Sequence, residues 1–400
     1  MSLNHHASPI SRLPALGWTA VACSTIACAT AQQNATAPAQ TVALQCRYHP
    51  TGLLIARACF EGRDGWFVFD TGASHNVIDE RQAGKLRPRS AAQEKDLPTP
   101  QQDDAKFVYA QKLEFGKTVF TQIPFARFDL TFLQRDGVDL LGVLGYPMFA
   151  SSILELDYRH ARIVLHSRED FDDRGLTWQP LTLVNRQPCC EVHIEGHAEQ
   201  LLIDSGKNGS AFLTAPTVKR LGLLENRTTT PETSAVVGGT LQHEKGRLRS
   251  LQVGGKTWMD APVSLSRAST TGKAPTNPAG RIGCLYLDPF TVFLDCSGDR
   301  VAWRLHSAKP ASKLADYEGR YGPIGPSSLH VRLTKGRLEL EHNGQRRQLS
   351  PGKGDLFHQD GTLSRIRFVR EGVKVTALEI SRPGQQPHRA PRLGSAPSGG

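Results

Sequence analysis

The feature that most constrains the fold of this 400-residue chain is an internal repeat of two sequence landmarks. The first is an apolar run leading into Asp-Thr-Gly or Asp-Ser-Gly, with Asp70 in WFVFDTGAS and Asp204 in LLIDSGKNG. The second is a Gly twelve residues before an Asp, with Gly145 in VLGYPMFASSILELD and Gly283 in RIGCLYLDPFTVFLD. The two pairs are offset by 134 residues (204 − 70) and 138 residues (283 − 145). Because both landmarks recur in the same order and at nearly the same offset, the chain is predicted to contain two copies of one structural unit.

The composition indicates that both copies are built from short strands. The chain contains 37 Gly and 25 Pro, which favour many turns. We expect an all-β fold with the copies at residues 42–168 and 172–306. Each copy is predicted to contain a β-hairpin, the turn that carries the Asp, one short helix and further strands. The predicted helices span Asp79 to Leu86 and Pro216 to Leu221.

A third, smaller unit is expected after the repeat. Residues 307–313 have the composition of a linker, and residues 314–382 contain the alternating segments SLHVRL, RLELEH, RIRFVR and KVTALEI. Lys335-Gly336 and Asn343-Gly344 are typical hairpin turns. Residues 383–400 are rich in Pro, Gly and Arg, so we expect a disordered tail.

The N-terminus has the pattern of an export signal. Leu13 to Ala31 is apolar and small, and it ends in Ala29-Thr30-Ala31, which fits a signal-peptidase site. We predict a signal peptide at residues 1–31, a linker at 32–41 and a periplasmic or secreted mature chain. Lipid anchoring at a leader cysteine is the less favoured alternative. No other segment approaches membrane-spanning length, so no integral membrane segment is expected after removal of the leader.

Six cysteines remain once the leader is removed, and an even number in an exported chain suggests disulfides. Cys46 with Cys59, and Cys284 with Cys296, are the plausible local pairs, whereas Cys189 and Cys190 have no evident partner. A zinc site is less favoured, because the sequence contains no Cys-x-x-Cys. Four histidines are interpreted as surface or satisfied positions: His49, His75, His160 and His243.

The chain carries a net charge of +10, but the sequence pattern does not indicate which partner this charge would bind. A basic chain suits anionic partners in general. The Lys and Arg residues are spread along the chain, and no segment alternates aromatic with basic residues. Nucleic-acid binding is therefore not expected.

The repeated Asp motif supplies the groups that peptide hydrolysis needs without a metal. Two carboxyl groups held a few ångströms apart share one proton, since both do not ionise easily. The ionised group takes a proton from water, and the protonated group donates to the substrate carbonyl. The Gly after each Asp-Thr or Asp-Ser lets backbone approach closely.

These residues make the chain resemble the pepsin and retropepsin superfamily of aspartic peptidases. The resemblance covers about 260 residues and rests on DTGAS after an apolar strand and on the later apolar-Gly elements. It implies two retropepsin-like β-barrel lobes in a pseudo-twofold arrangement within one monomeric chain. It also implies a peptide or protein substrate, no cofactor and no metal.

Carried over by position, the resemblance assigns the site. Asp70 and Asp204 become the catalytic pair, and Thr71 and Ser205 make interlocking hydrogen bonds. The rest of the two loops supports them through Gly72, Ala73, Ser74 and Gly206.

Peptidases of this type close over substrate with a hairpin flap. The candidate flap residues are Tyr109 in KFVY, and Gly238 and Gly239 in VVGGT. Tyr109 is equally well explained as an ordinary strand residue.

The second half-site departs from the family pattern. Lys207 and Asn208 stand where the first copy has Ala73 and Ser74, and Arg281 precedes the second Gly element. Lys207 either points at the carboxylates or projects into solvent. The alternative to an aspartic endopeptidase is therefore an inactive peptide-binding or cell-envelope interaction protein on the same fold.

Two further features have structural interpretations. Asp157 and Asp295 end apolar segments in both copies, so we interpret them as strand-end residues. The third unit resembles the small β-rich domain that follows the catalytic part of some bacterial serine β-lactamase-like hydrolases. Only its β-rich fold is inferred from that resemblance.

Overall fold

The computed structural model describes residues 40–84, 86–88, 107–135, 137–236, 239–267, 278–307, 309–323 and 328–393. Within these ranges the regular secondary structure is mostly β-strand, in three eight-stranded sheets and one six-stranded sheet. This confirms the predicted all-β fold. The predicted signal peptide and most of the first linker lie outside the described residues. No helix in the described part of the chain has the length and apolar character needed to cross a bilayer.

The first copy of the repeat, lobe 1, contains eleven strands and one short helix. Eight of these strands form a sheet in the order β2-β3-β4-β9-β5-β8-β7-β6. The elements are β1 (Val42–Ala43), β2 (Gln45–Tyr48), β3 (Leu54–Phe60), β4 (Arg63–Phe69), β5 (Asn76–Asp79), α1 (Glu80–Ala83), β6 (Arg87–Pro88), β7 (Phe107–Phe115), β8 (Thr118–Phe128), β9 (Leu140–Leu144), β10 (Ile153–Asp157) and β11 (Arg162–His166).

The second copy, lobe 2, repeats this topology. Its sheet has the order β13-β14-β15-β20-β16-β19-β18-β17, which is the order of lobe 1 element by element. The repeat seen in the sequence is therefore a repeat of structure. The elements are β12 (Trp178–Pro180), β13 (Thr182–Val184), β14 (Gln187–Ile194), β15 (His197–Ile203), β16 (Ala211–Leu213), α2 (Ala215–Arg220), β17 (Thr230–Val236), β18 (Gly239–Val253), β19 (Lys256–Leu265), β20 (Gly280–Ile282), α3 (Cys284–Leu287), β21 (Phe290–Asp295) and β22 (Arg300–Leu305).

Glycines in β9 and β20 permit a tight strand crossing in each lobe. β9 runs parallel to β4 and antiparallel to β5, and β20 stands in the same relation to β15 and β16. A Cβ on Gly142 would lie 2.1 Å from the Val77 carbonyl oxygen, and one on Gly280 would lie 2.1 Å from that of Phe212. Only glycine fits these contacts, so the crossing depends on it.

The lobes are joined by the six-stranded sheet, which has the order β1-β11-β10-β21-β22-β12. β10 of lobe 1 pairs antiparallel with β21 of lobe 2, with Ile153 opposite Asp295 and Asp157 opposite Thr291. This pairing relates the lobes as a pseudo-twofold would. One apolar core cluster runs through both lobes and this sheet.

The third domain is an antiparallel meander packed around four buried aromatic rings, those of Tyr317, Tyr321, Phe357 and Phe368. Lys335-Gly336 and Asn343-Gly344 have positive φ, as the predicted hairpin turns require. The strands are β23 (Gly319–Tyr321), β24 (Leu329–Thr334), β25 (Arg337–His342), β26 (Gln345–Pro351), β27 (Leu356–Gln359), β28 (Arg365–Glu371), β29 (Lys374–Ser381) and β30 (His388–Pro391).

The predicted disordered tail is wrong for residues 388–393. β30 pairs with β29, and Ala390 is buried in the domain core. The Pro391 carbonyl accepts from Gly322 N at 2.8 Å. The Pro and Arg content suggested disorder, but the segment pairs along the edge of β29 and its backbone also bonds to Thr376 and Arg320, which covers that edge.

The predicted disulfides are also wrong, since the six described cysteines are free. Cys46 lies opposite Ala56, so Cys59 is three residues further along β3, about 10 Å away. A disulfide needs Cα atoms within about 7 Å. Cys284 begins α3, and its thiol donates to the Ser205 carbonyl at 3.3 Å, while Cys296 follows the far end of β21.

We predict that β30 is required for the stability of the third domain. Deleting residues 383–400 removes the strand and uncovers Leu378, whereas deleting residues 394–400 leaves the strand complete. The first deletion should lower the unfolding free energy of the domain by about 2–4 kcal/mol, since several net hydrogen bonds and one buried side chain are lost. Thermal denaturation of the two truncations beside the full chain measures this. Equal melting temperatures for both truncations would contradict it.

Candidate active site

The two Asp-containing loops meet between the lobes. Asp70 follows β4 and Asp204 follows β15, and both side chains are buried. The backbone N–H of Asp70 donates to the Leu144 carbonyl at 2.9 Å, and that of Asp204 donates to the Ile282 carbonyl at 3.1 Å. Each loop is thus held by the last residue of the strand that directly precedes the Gly of the second repeat landmark.

Thr71 and Ser205 interlock the loops by reciprocal hydrogen bonds. The Thr71 hydroxyl donates to the Ile203 carbonyl at 2.7 Å and accepts from Ser205 N at 3.0 Å. The Ser205 hydroxyl donates to the Phe69 carbonyl at 2.8 Å and accepts from Thr71 N at 3.0 Å. This is the interlock that the resemblance implied, and every partner is a buried group.

Each carboxyl group packs against the glycine of the opposite loop. A Cβ on Gly72 would lie 2.6 Å from Cγ of Asp204, and a Cβ on Gly206 would lie 2.3 Å from Cγ of Asp70. Any side chain at either position would therefore displace a carboxyl group. The two glycines set the closeness of the carboxyl pair.

The surroundings of the pair favour one proton, carried by Asp70. Burial raises the pKa of Asp70 well above its usual range, the charge of Asp204 raises it further, and the Gly72 N–H at 2.7 Å opposes the shift. Burial also raises the pKa of Asp204, but the charges of Arg281 and Lys207 oppose it. Asp204 Oδ1 is buried without a donor among the described residues. A proton on Asp70 accounts for the hydrogen bond between the two side chains, which raises the pKa of Asp70 and lowers that of Asp204.

Arg281 forms an ion pair with Asp204 that sequence reasoning did not predict. Its Nη1 lies 3.2 Å from Asp204 Oδ2. Arg281 pairs with Leu202 and Phe212 in the sheet. The equivalent residue of lobe 1, Val143, is part of a buried apolar cluster. The sequence did contain a signal for this ion pair, because Arg281 is a charged residue at a position that is apolar in the first copy of the repeat.

Lys207 points inward, which decides between the two orientations considered. Only 4% of the residue is exposed. Burial lowers the pKa of Lys207 to about 8, against the opposing charge of Asp204. Its equivalent in lobe 1 is Ala73, so lobe 2 has a buried Lys and a partly buried Arg where lobe 1 has two apolar side chains.

The remaining loop residues hold the backbone. The Ala73 carbonyl accepts from Tyr146 N at 2.8 Å, and Ser74 Oγ lies 2.9 Å from Nδ1 of His75. His75 is half-buried and hydrogen-bonded to Ser74, so of the two interpretations, surface or satisfied, the second holds; burial lowers its pKa to about 4. Gln187, which the sequence did not single out, donates to the Gly72 carbonyl.

The candidate flap residues fall on two hairpins. Tyr109 lies within β7, opposite Pro124 of β8 and Arg87 of β6. Gly239 begins β18 and pairs with Val236, the last residue of β17. Gly238 lies between these strands and outside the described residues. The role of these residues as a flap stays a prediction.

Two segments of the chain, residues 56–148 and 190–283, each match the family model for aspartyl proteases. The chain belongs to the pepsin- and retropepsin-like aspartic peptidase superfamily. Each matched segment contains one of the two Asp motifs and its Gly element. The family assignment thus covers both half-sites of this aspartyl protease-like protein.

Other comparisons add distant likenesses. The comparison with curated proteins found no match. Among solved structures, soybean basic 7S globulin is 12% identical, with 68% of this chain and 96% of that chain covered and a TM-score of 0.39. Conglutin gamma from lupine seeds is also 12% identical, with the same coverage and a TM-score of 0.40.

We predict that the Thr71 hydroxyl stabilises the junction of the lobes. Thr71→Val keeps the shape of the side chain but leaves the Ile203 carbonyl and Ser205 N–H without their partner. The free energy of unfolding should fall by about 2–4 kcal/mol, because buried polar groups left unpaired are costly. Thr71→Ser keeps the hydroxyl and is the matched control. Denaturant unfolding of both variants measures the effect, and equal losses in the two would contradict this role.

Proposed function

We propose that this aspartyl protease-like protein is an aspartic endopeptidase that hydrolyses peptide bonds with Asp70 and Asp204. The observation that carries the proposal is the asymmetric carboxyl pair, with one group favoured in the protonated form and the other beside a cation. General acid–base hydrolysis needs that pair of protonation states. The interlocked loops hold both groups in fixed positions, as catalysis requires.

The proposed reaction begins with water between the two carboxyl groups. Asp204 takes a proton from the water as its oxygen bonds to the scissile carbonyl carbon, and Asp70 donates its proton to the carbonyl oxygen. The resulting tetrahedral diol collapses when Asp204 gives its proton to the leaving nitrogen. Asp70 regains a proton from a diol hydroxyl as the carbon–nitrogen bond breaks.

Arg281 and Lys207 tune this chemistry. Their positive charges favour the ionised form of Asp204, and Arg281 also lowers the pKa of Asp70. The pair therefore stays singly protonated at more acidic pH than burial alone would allow. Both cations also weaken Asp204 as a base. The proposed enzyme is therefore active at more acidic pH, at some cost in rate.

The substrate we propose is an extended peptide or protein segment bound between the lobes by strand-like hydrogen bonds. We propose that the β17–β18 hairpin, which includes Gly239, closes over the substrate as a flap. The leader sequence supports a periplasmic or secreted location, and both half-sites in one chain support a monomer.

The first prediction of the proposal is that both Asp residues are necessary. Asp70→Asn and Asp204→Asn should each lower kcat/KM on a peptide library by about a hundredfold to ten-thousandfold, because each removes one proton-transfer group. Both variants remain able to hydrogen-bond and should fold, which circular dichroism checks. Full activity of the Asp204→Asn protein would rule out the two-carboxyl mechanism.

The second prediction concerns pH. Arg281→Val copies Val143, and Lys207→Ala copies Ala73, so each variant gives lobe 2 the residue of lobe 1. Arg281 lowers the pKa of both carboxyl groups, so its removal should move both limbs of the pH–kcat/KM profile to higher pH. Lys207 lowers the pKa of Asp204, so its removal should move mainly the acid limb to higher pH. A limb that moves to lower pH in either variant would contradict the assignment.

The Arg281–Asp204 ion pair favours a second candidate function, a peptide-binding protein without turnover. In that case the guanidinium neutralises Asp204 and blocks proton abstraction. The wild type would then bind library peptides without cleaving them, and Arg281→Val would gain activity. A wild type that cleaves the library peptides, with the pH profile of Arg281→Val moved to higher pH, supports the peptidase instead.

A further inference from the structure

The sheet that joins the lobes carries two equivalent buried carboxylates with different partners. Asp157 ends β10 and Asp295 ends β21, and the repeat relates them (295 − 157 = 138). Asp295 is held by two guanidinium groups, which are not metal ligands. Arg300 Nε lies 2.8 Å and Arg168 Nη2 lies 3.2 Å from Asp295 Oδ2. Its Oδ1 accepts from Gly298 N at 3.0 Å. This is a structural ion-pair cluster.

Around Asp157, histidines occupy the equivalent positions. His306 takes the place of Arg168 (306 − 168 = 138), and His160 takes the place of Gly298 (298 − 160 = 138). Asp157 Oδ1 accepts from His160 N at 3.0 Å, as the repeat predicts. Its Oδ2 lies 2.8 Å from Nδ1 of His160 and 3.2 Å from Nε2 of His306. Lobe 2 therefore shows that the fold needs no imidazole at either position.

We propose that Asp157, His160 and His306 form a binding site for a divalent transition-metal ion such as Zn²⁺. One ligand atom from each lies within 4.8 Å of the others. Two imidazole nitrogens and one carboxylate oxygen are a common zinc ligand set. Ligand atoms about 2 Å from a tetrahedral ion are about 3.3 Å apart, so the ion needs only small movements of these side chains.

The surroundings fit such a site. The His160 side chain is 59% exposed and gives the ion a path from solvent, while the Asp157 and His306 side chains are 10% and 13% exposed. The Thr291 hydroxyl lies 3.3 Å from Asp157 Oδ2 and 3.1 Å from His306 Nε2. With the ion bound, Thr291 keeps the carboxylate contact and positions it, as hydroxyls next to metal ligands do.

The metal would tie the two lobes together. Asp157 and His160 belong to lobe 1, and His306 follows β22 of lobe 2. An ion bound only by the folded protein raises its stability by mass action. This consequence is independent of Asp70 and Asp204, so it is testable whether or not the protein cleaves peptides.

The test uses the full mature chain, freed of metal by a chelator and then titrated with Co²⁺ and with Zn²⁺. His306→Arg copies Arg168 of the ion-pair cluster around Asp295. This variant should fold, because the new Arg can form an ion pair with Asp157. His160→Gly copies Gly298 and is a second, independent variant. His193→Ala removes a histidine of β14 and is the control.

We expect the wild type and the His193→Ala protein to bind one equivalent. They should show the visible absorption of tetrahedral Co²⁺ without the charge-transfer band that thiolate ligands add, and Zn²⁺ should raise their melting temperature. His306→Arg and His160→Gly should bind at least tenfold more weakly and show no such rise. A wild type that binds less than one equivalent at millimolar metal, or unchanged binding in both variants, would overturn the proposal.

Discussion

The hydrogen bonds between Thr71 and Ser205 are the contact on which the rest of the site depends. They join two loops from different lobes by groups that are all buried, so breaking any one leaves an unpaired polar group in the interior. Because the loops are fixed, Gly72 and Gly206 lie directly against the opposite carboxyl groups. The closeness of Asp70 and Asp204, and hence the sharing of a single proton between them, follows from this interlock.

The two lobes share a topology but not an electrostatic environment. In lobe 1 the positions beside the Asp loop hold Ala73 and Val143 within an apolar cluster. In lobe 2 the same positions hold Lys207 and Arg281, both close enough to Asp204 to favour its charged form. Two carboxyl groups in a symmetric site would share their proton evenly. The cations break that symmetry and give the two groups separate roles.

The sequence predicted those features that follow from local pattern or from the repeat. Asp70, Asp204 and the interlocking hydroxyls were predicted because each lies at a repeated position with a fixed backbone role. The Arg281 ion pair was missed because the direction of that side chain depends on the pairing of β20 between β15 and β16. The pairing of Cys46 with Cys59 failed for the same reason, since strand register decides which residues lie opposite.

The two equivalent carboxylates of the sheet between the lobes, Asp157 and Asp295, also differ in the side chains around them. A buried strand-end carboxylate needs donors, and guanidinium and imidazole groups both supply them. At Asp295, Arg168 and Arg300 supply these donors, so the fold can stabilise a carboxylate at this position with Arg side chains. Only imidazole also has a lone pair that binds a metal ion. Stability alone therefore does not explain the two histidines at Asp157, and their convergence on one oxygen atom is the kind of difference between repeats that a binding role would select.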